Sequence, residues 1–186
     1  MDFKAFSKIA RLSRDMIVTE KIDGTNGVIA IGENGEFQIG SRNRWLTDEA
    51  GNITGDNMGF AKWAIKNRDS LMMLGAGFHY GEWWGSGIQR GYNLPKDEKR
   101  FSLFNVSRWA DDSIRPACCH VVPLLYTGMF STSTVDDILI ALARNGSEAA
   151  PGFMRPEGVV VFHTSAGYLF KKTIERDEYH KGETAG

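Results

Sequence analysis

The alternation of apolar and polar residues along the chain predicts a protein built mostly from short β-strands. Two β-favouring runs, residues 16–18 and 28–31, flank a polar turn, and an Asn-Gly pair at 34–35 returns the chain through the alternating stretch 37–40. Further strands are predicted at residues 78–84, 100–106, 118–126, 158–162 and 168–173. This pattern is typical of an α+β fold with largely antiparallel sheets and flanking helices.

A few helices and loops complete the predicted order of elements. Residues 1–15 have weak helical character and are expected to pack across a sheet end. Asp56 is a plausible N-cap for a helix through roughly Arg68, and capping residues at 133–137 open a second helix that ends near Gly146. Residues 85–95 are predicted to form a long loop, and the polar tail from about residue 175 is expected to be mobile.

Length and composition indicate one domain that covers residues 1–186. Hydrophobic residues make up 42% of the chain and charged residues 24%, which is ordinary for a globular protein. No apolar run approaches the ~20 residues that span a bilayer, and no signal-peptide core follows Met1. We therefore expect a cytoplasmic protein with no membrane partner.

Charge and cysteine content exclude some classes of function. The net charge of −1 disfavours a non-specific nucleic-acid coat protein but does not argue against an enzyme with a local phosphate site. Cys118 and Cys119 are neighbours in an apolar run, and adjacent strand residues point to opposite faces, which disfavours a disulfide between them. No C-x-x-C is present and the histidines are scattered, which argues against a structural zinc site.

Charged residues stand at the ends of, or within, the predicted apolar strands. They are Lys21, Arg42, Glu82, Glu157 and the pair 171–172. Each has an ordinary explanation as a surface turn, a solvated strand end or an edge-strand charge. Burying such charges is costly unless they are paired or bind something, and a partly desolvated lysine among other charges can become a nucleophile. Together they predict a charged site at strand ends.

Six short motifs in this order resemble the covalent nucleotidyltransferase superfamily of ATP-dependent DNA ligases, RNA ligases and mRNA capping enzymes. The motifs are K-x-D-G at 21–24, Ser41-Arg42, Tyr80-Gly81-Glu82, Leu103-Phe104-Asn105-Val106, Glu157-Gly158-Val159-Val160 and Phe170-Lys171-Lys172. Within the superfamily, residues 20–26 and 81–89 look most like the adenylyltransferase domain of phage-type nick-sealing RNA ligases. The resemblance implies an ATP-grasp-like ligase adenylation domain.

The mechanism that this resemblance implies is covalent. The amine of Lys21 would attack the α-phosphate of ATP to give lysyl-AMP, and the AMP would pass to a nucleic-acid 5′-phosphate for strand sealing. The attacking amine must be neutral, which Lys171, Lys172 and a bound divalent metal would favour. Glu157 and Glu82 are the predicted ligands of that metal, Mg²⁺ or Mn²⁺.

The resemblance also assigns contacts to the nucleotide. Phe104 would stack on one face of adenine and Val160 would cover the other. Glu82 could instead bind ribose hydroxyls, Arg42 would lie near ribose or phosphate, and Asn26 would serve the later steps. The full set of predicted nucleotide-binding residues is Glu20, Lys21, Asp23, Asn26, Arg42, Glu82, Phe104, Glu157, Val160, Lys171 and Lys172.

The chain departs from the superfamily pattern in three respects. The last motif is commonly K-x-K, whereas here Thr173 follows Lys171 and Lys172, which leaves open whether Lys172 or Lys181 supplies the second lysine. Asn105 stands where many members have Asp. The chain also ends without room for a second domain, so we expect weak binding of nucleic acid by this chain alone and a partner protein as one source of that domain.

Several alternatives to an RNA ligase remain open at this point. The chain could be a DNA ligase core or an adenylyltransferase for another substrate, although the motifs favour RNA over DNA. It could also be a catalytically silent nucleotide-binding module, or an α+β domain whose short motif matches arise by chance.

Overall fold

A computed structural model describes residues 2–175 and 177, and within them nine strands form two sheets. The strands are β1 (Asp15–Lys21), β2 (Thr25–Ile31), β3 (Phe37–Ser41), β4 (Gly77–Gly85), β5 (Lys99–Leu103), β6 (His120–Val121), β7 (Leu124–Met129), β8 (Gly158–His163) and β9 (Tyr168–Thr173). The five-stranded sheet has the order β3-β2-β4-β5-β6 and the four-stranded sheet has the order β7-β1-β8-β9. Only the pairing of β5 with β6 is parallel among the described strands, which confirms the predicted α+β fold.

Four α-helices accompany the nine strands in the described part of the chain, and only the last of them is longer than the longest strand. They are α1 (Phe60–Lys66), α2 (Arg68–Leu71), α3 (Val106–Trp109) and α4 (Thr132–Asn145). The N-cap of helix α4 is Ser131, whose hydroxyl accepts a hydrogen bond from Thr134 N, so the helix begins slightly before the predicted capping residues 133–137. Its C-cap is Gly146, as predicted. The predicted helix at Asp56 begins later, at Phe60, although the Asp56 carboxylate does accept hydrogen bonds from Gly59 N and Ala61 N.

Two local predictions are wrong. Residues 2–14 form no helix, and Phe3 and Phe6 are 93% and 88% exposed, so no buried face stabilises a short helix there. The strand predicted to reach residue 106 ends at Leu103, because Asn105 caps α3 through a hydrogen bond from Arg108 N. Most of the tail beyond residue 175, including Lys181, lies outside the described residues.

The two cysteines also differ from the prediction. They precede β6 in a turn closed by a hydrogen bond from Cys119 N to Pro116 O, so strand alternation does not apply to them. Their sulfur atoms lie 4.0 Å apart and both thiols are free.

In the part of the chain that the structure describes, three hydrophobic clusters pack the layers, and one of them joins the two sheets. It contains Ile22, Trp84 and Tyr92, with Ile17 packed against it. Ile17 shares a face of β1 with Lys21, and Trp84 shares a face of β4 with Glu82. The Lys21 face of one sheet is therefore turned toward the Glu82 face of the other, and the space between these two faces is hereafter called the cleft. None of the described helices is long and apolar enough to cross a membrane.

Candidate active site

Lys21 is the last residue of β1 and is held by a carboxylate from the neighbouring strand segment. The pairing of β1 with β8 sets Lys21 opposite Gly158, so Glu157 lies beside it. The ammonium Nζ is 2.5 Å from Glu157 Oε2, and the two side chains are 24% and 16% exposed. Gly158 permits this arrangement because a Cβ there would lie 2.2 Å from the carbonyl oxygen of Lys172. The pair is partly desolvated and points toward the cleft.

A second carboxylate fixes the turn that follows Lys21. Glu82 stands opposite Asn26 in the β2–β4 register. Its Oε1 accepts a hydrogen bond from Gly24 N and its Oε2 accepts one from Asn26 Nδ2, both at 3.0 Å. Burial raises the pKa of Glu82 to about 7, although the positive charge of Lys21 and the Gly24 N–H oppose this shift. Glu82 therefore ties the turn to β4.

Arg90 makes a third connection, which the sequence reasoning missed. Its Nε donates to Asp23 Oδ2 at 3.0 Å and its Nη1 donates to the carbonyl of Arg155, also at 3.0 Å. Asp23 N donates in turn to the Tyr92 hydroxyl at 2.7 Å. Arg90 thus links the Lys21 turn to the segment that leads into Glu157. The only signal in the sequence was a cation within a glycine-rich loop.

The last motif divides between two faces of β9. Lys171 pairs with Val160 and, because side chains alternate along a strand, lies on the cleft side with Thr173. Lys172 points the other way and forms an ion pair with Asp136 of α4, which raises the pKa of Lys172. The expectation that Lys172 contacts the nucleotide therefore conflicts with its position.

Glu20 is likewise directed away from the cleft. Its carboxylate is 1% exposed and accepts hydrogen bonds from Ser147 Oγ at 2.5 Å, Glu148 N at 2.8 Å and Ala149 N at 2.9 Å. Burial raises the pKa of Glu20, and these donors act in the opposite direction. The motif resemblance assigned Glu20 to nucleotide binding, but its side chain instead binds the 147–149 loop.

The remaining predicted residues lie on the facing surfaces of the two sheets. Val160 lies on the Lys21 face of the four-stranded sheet, and Phe104, 41% exposed, follows β5 beside Tyr80. Arg42 is exposed and follows Ser41, which pairs with Gly27 next to Asn26. The ring of Phe104 and the aliphatic side chain of Val160 thus lie on the faces that carry Glu82 and Lys21, and Arg42 follows the end of β3.

A profile of the RNA ligase family matches residues 14–173, a range that includes all six sequence motifs. The chain belongs to the RNA ligase family. The resemblance inferred from the motifs is thereby confirmed at the level of the family.

Solved structures of Naegleria gruberi RNA ligase variants share the fold of this RNA ligase family member. One variant with ATP and Mn has a TM-score of 0.63 and 20% identity over 88% of this chain and 51% of that chain. Another, with AMP and Mn, has a TM-score of 0.60 and 20% identity over 86% and 49%. The chain spans about half the length of these ligases. No curated protein matches the chain in sequence.

The carboxylates of this site fit a hard divalent cation that arrives with a nucleotide. Among the described residues, no three or more His, Cys, Asp and Glu side chains converge to form a metal site by themselves. Mg²⁺ commonly uses one or two carboxylates together with phosphate oxygens and water. Both oxygens of Glu82 already accept hydrogen bonds, so Glu157 is the better placed donor.

Proposed function

We propose that residues 1–186 form the nucleotidyltransferase domain of an ATP-dependent RNA ligase in which Lys21 carries AMP covalently. The observation that carries this proposal is the Lys21 amine held 2.5 Å from Glu157 at a cleft between two sheets. Family membership and the fold shared with ligases that bind ATP or AMP together with Mn support the choice of nucleotide and metal. ATP and RNA would be met in the cytoplasm.

In the first step, the Lys21 nitrogen attacks the α-phosphorus of ATP. A phosphorus–nitrogen bond forms, the bond to the β-phosphate bridging oxygen breaks, and pyrophosphate leaves. Attack requires a neutral amine, so the ion pair must open or pass its proton to Glu157. Lys171, on the same face as Lys21, would offset charge that develops on the phosphate.

A divalent ion, Mg²⁺ or Mn²⁺, would offset charge on the phosphates when bound. Glu157 would hold it together with phosphate oxygens and water, and Glu82 would contribute chiefly by fixing the turn through Gly24 and Asn26. Adenine would stack between Phe104 and Val160, with Arg42 near ribose or phosphate.

In the later steps, the 5′-phosphate of an RNA strand takes AMP from Lys21, and a neighbouring 3′-hydroxyl then displaces AMP to seal the strand. The motifs at residues 20–26 and 81–89 favour a nick as the substrate, and Asn26 would serve these steps. We expect weak RNA binding by this chain, and a partner protein is one source of additional contacts.

Mass spectrometry after incubation with ATP and Mg²⁺ tests the covalent step. Wild type should gain the mass of one AMP, whereas Lys21→Ala and Lys21→Arg should gain none, because neither side chain can act as an amine nucleophile. Lys62→Ala removes an exposed lysine of α1 and should behave as wild type. An unmodified wild-type protein would contradict the proposal.

Radiolabelled ATP separates the remaining alternatives. Label at the α-phosphate should transfer to Lys21 and then to nicked RNA, whereas label at the γ-phosphate should leave with pyrophosphate. Nicked RNA and DNA duplexes offered side by side distinguish an RNA ligase from a DNA ligase core. ATP binding without any adduct would instead indicate a silent nucleotide-binding module.

A further inference from the structure

An exposed aromatic patch lies on the five-stranded sheet, on the face that carries Glu82. It consists of Trp45, Phe78, Tyr80 and Phe104, which are 45%, 60%, 55% and 41% exposed. Phe104 has a proposed role with adenine, but the other three side chains have none. Large aromatic side chains exposed side by side indicate a binding surface.

The patch has the geometry of a stacking surface. Phe78 and Tyr80 are alternate residues of β4 and share its face with Glu82. Their rings are nearly parallel, with 15° between planes and 6.3 Å between centres. The indole of Trp45 lies 6.3 Å from the Phe78 ring and covers Gly40, where an added Cβ would be 3.2 Å from it. Flat side chains therefore continue along the sheet beyond the charged cluster.

Arginines flank the patch at both ends. Arg42 and Arg44 are both exposed and lie three residues and one residue before Trp45. At the other end, Arg108, Tyr80 and Phe104 help to line a recess of about 150 Å³. Aromatic faces interspersed with arginines are the combination that binds single-stranded nucleic acid, through stacked bases and neutralised phosphates.

We propose that Trp45, Phe78 and Tyr80 stack bases that are unpaired at the strand end to be sealed, where the duplex beside the nick opens. This inference rests on the proposed ligase function. The patch begins two residues from Glu82 along β4, so a strand whose end reaches the charged cluster would cross it. A chain with a net charge of −1 has no global positive field, so stacking must supply a substantial share of the binding free energy.

The test measures binding of a single-stranded RNA in the absence of ATP. The probe carries 2-aminopurine, and the comparison strand has the same length but abasic positions in place of its bases. Wild type should bind the base-containing strand roughly 5- to 100-fold more tightly, since one stacked base contributes that much. Phe78→Leu and Tyr80→Leu should lose most of this preference and most of the 2-aminopurine quenching. Tyr168→Leu, which removes a 69% exposed aromatic ring on β9, should keep both.

Three results would overturn the inference: equal binding of the two strands by wild type, an intact preference in both variants, or no detectable RNA binding. The amount of lysyl-AMP formed by Phe78→Leu should equal that of wild type, and a parallel loss of both properties would indicate structural damage instead of a stacking role. Failure of wild type to form lysyl-AMP would refute the ligase function separately, because the binding measurement contains no ATP.

Discussion

Replacing Gly24 with alanine tests whether the turn after Lys21 must lie as close to β4 as it does. A Cβ at this position would lie 2.5 Å from the carbonyl oxygen of Trp83 and 2.8 Å from the Cβ of Trp84. Both atoms are fixed by β4 and its neighbours. Because non-bonded heavy atoms settle at ~3.5–4 Å, the turn would have to withdraw by roughly 1 Å.

This withdrawal has two consequences that can be measured. Overpacking of this kind costs about 1–3 kcal/mol of unfolding free energy. The displacement also lengthens the 3.0 Å hydrogen bond from Gly24 N to Glu82 and shifts Lys21, three residues earlier in the chain. Since a 1 Å misplacement of a reacting group can reduce a rate by about 100-fold, we expect lysyl-AMP formation to slow by at least about 10-fold.

Urea unfolding and the rate of AMP incorporation by mass spectrometry would measure the two effects. Gly55→Ala is the matched control, because an added Cβ there meets its nearest neighbour, Leu46 Cδ2, at 3.8 Å, an ordinary contact. The control should change the unfolding free energy by less than about 0.5 kcal/mol and leave the rate unchanged. A Gly24→Ala protein with wild-type stability and rate would refute the requirement for close packing.

The other predictions concern the faces and environments of single side chains. Lys171→Ala should lose most lysyl-AMP formation and Lys172→Ala should retain it, because the two residues lie on opposite faces of β9; the reverse result in the mass assay would contradict this assignment. Glu20→Ala should lower the unfolding free energy by about 2–5 kcal/mol, since it leaves three donors of the 147–149 loop without their acceptor, and an unchanged thermal midpoint would exclude that role. The pKa of Glu82 is raised from 4.5 to about 7 in the folded state. Between these two pH values the native state therefore holds a proton on Glu82 that the unfolded state has lost. Relative to Glu82→Gln, wild type should therefore lose up to about 3 kcal/mol of stability as the pH rises from 4.5 through 7, and parallel stability curves from urea titrations would show that this carboxyl is not perturbed.

The sequence was sufficient to single out the charged residues of the candidate site, but not to assign every side chain to the correct face of its strand. Lys21, Glu82 and Glu157 were identifiable because each lies within or next to an apolar run, where an unpaired charge is costly. Glu20 and Lys172 were grouped with them by motif, yet each is adjacent to a cleft-facing residue and so points to the opposite face. The period-2 alternation of strands carried this information in the sequence.

Other features depend on loop conformations that no periodicity specifies. Arg90 reaches Asp23 across 67 positions in the chain, and its role depends on how the 85–95 loop folds back. Cys118 and Cys119 lie in a turn and not in a strand, because β6 begins only at His120. Their side chains are therefore not forced to opposite faces, and their sulfur atoms approach to 4.0 Å. The apolar residues in the stretch 2–14 suggested a helix packed on a sheet, but the local pattern could not show that these side chains would stay exposed.

The position of Lys21 is determined by long-range contacts more than by its own motif. Glu157, the residue before β8, binds its amine, Glu82 holds the following turn from β4, and Arg90 joins that turn to the Arg155 carbonyl. All of these contacts lie within the range that matches the RNA ligase family. We therefore expect lysyl-AMP formation to need only this chain, ATP and a divalent ion, whereas transfer to RNA depends in addition on how the RNA is held. The two steps should consequently respond to different substitutions. Changes at the residues that bind Lys21 or its turn should affect the first step, and changes at Trp45, Phe78 or Tyr80 should affect only the second.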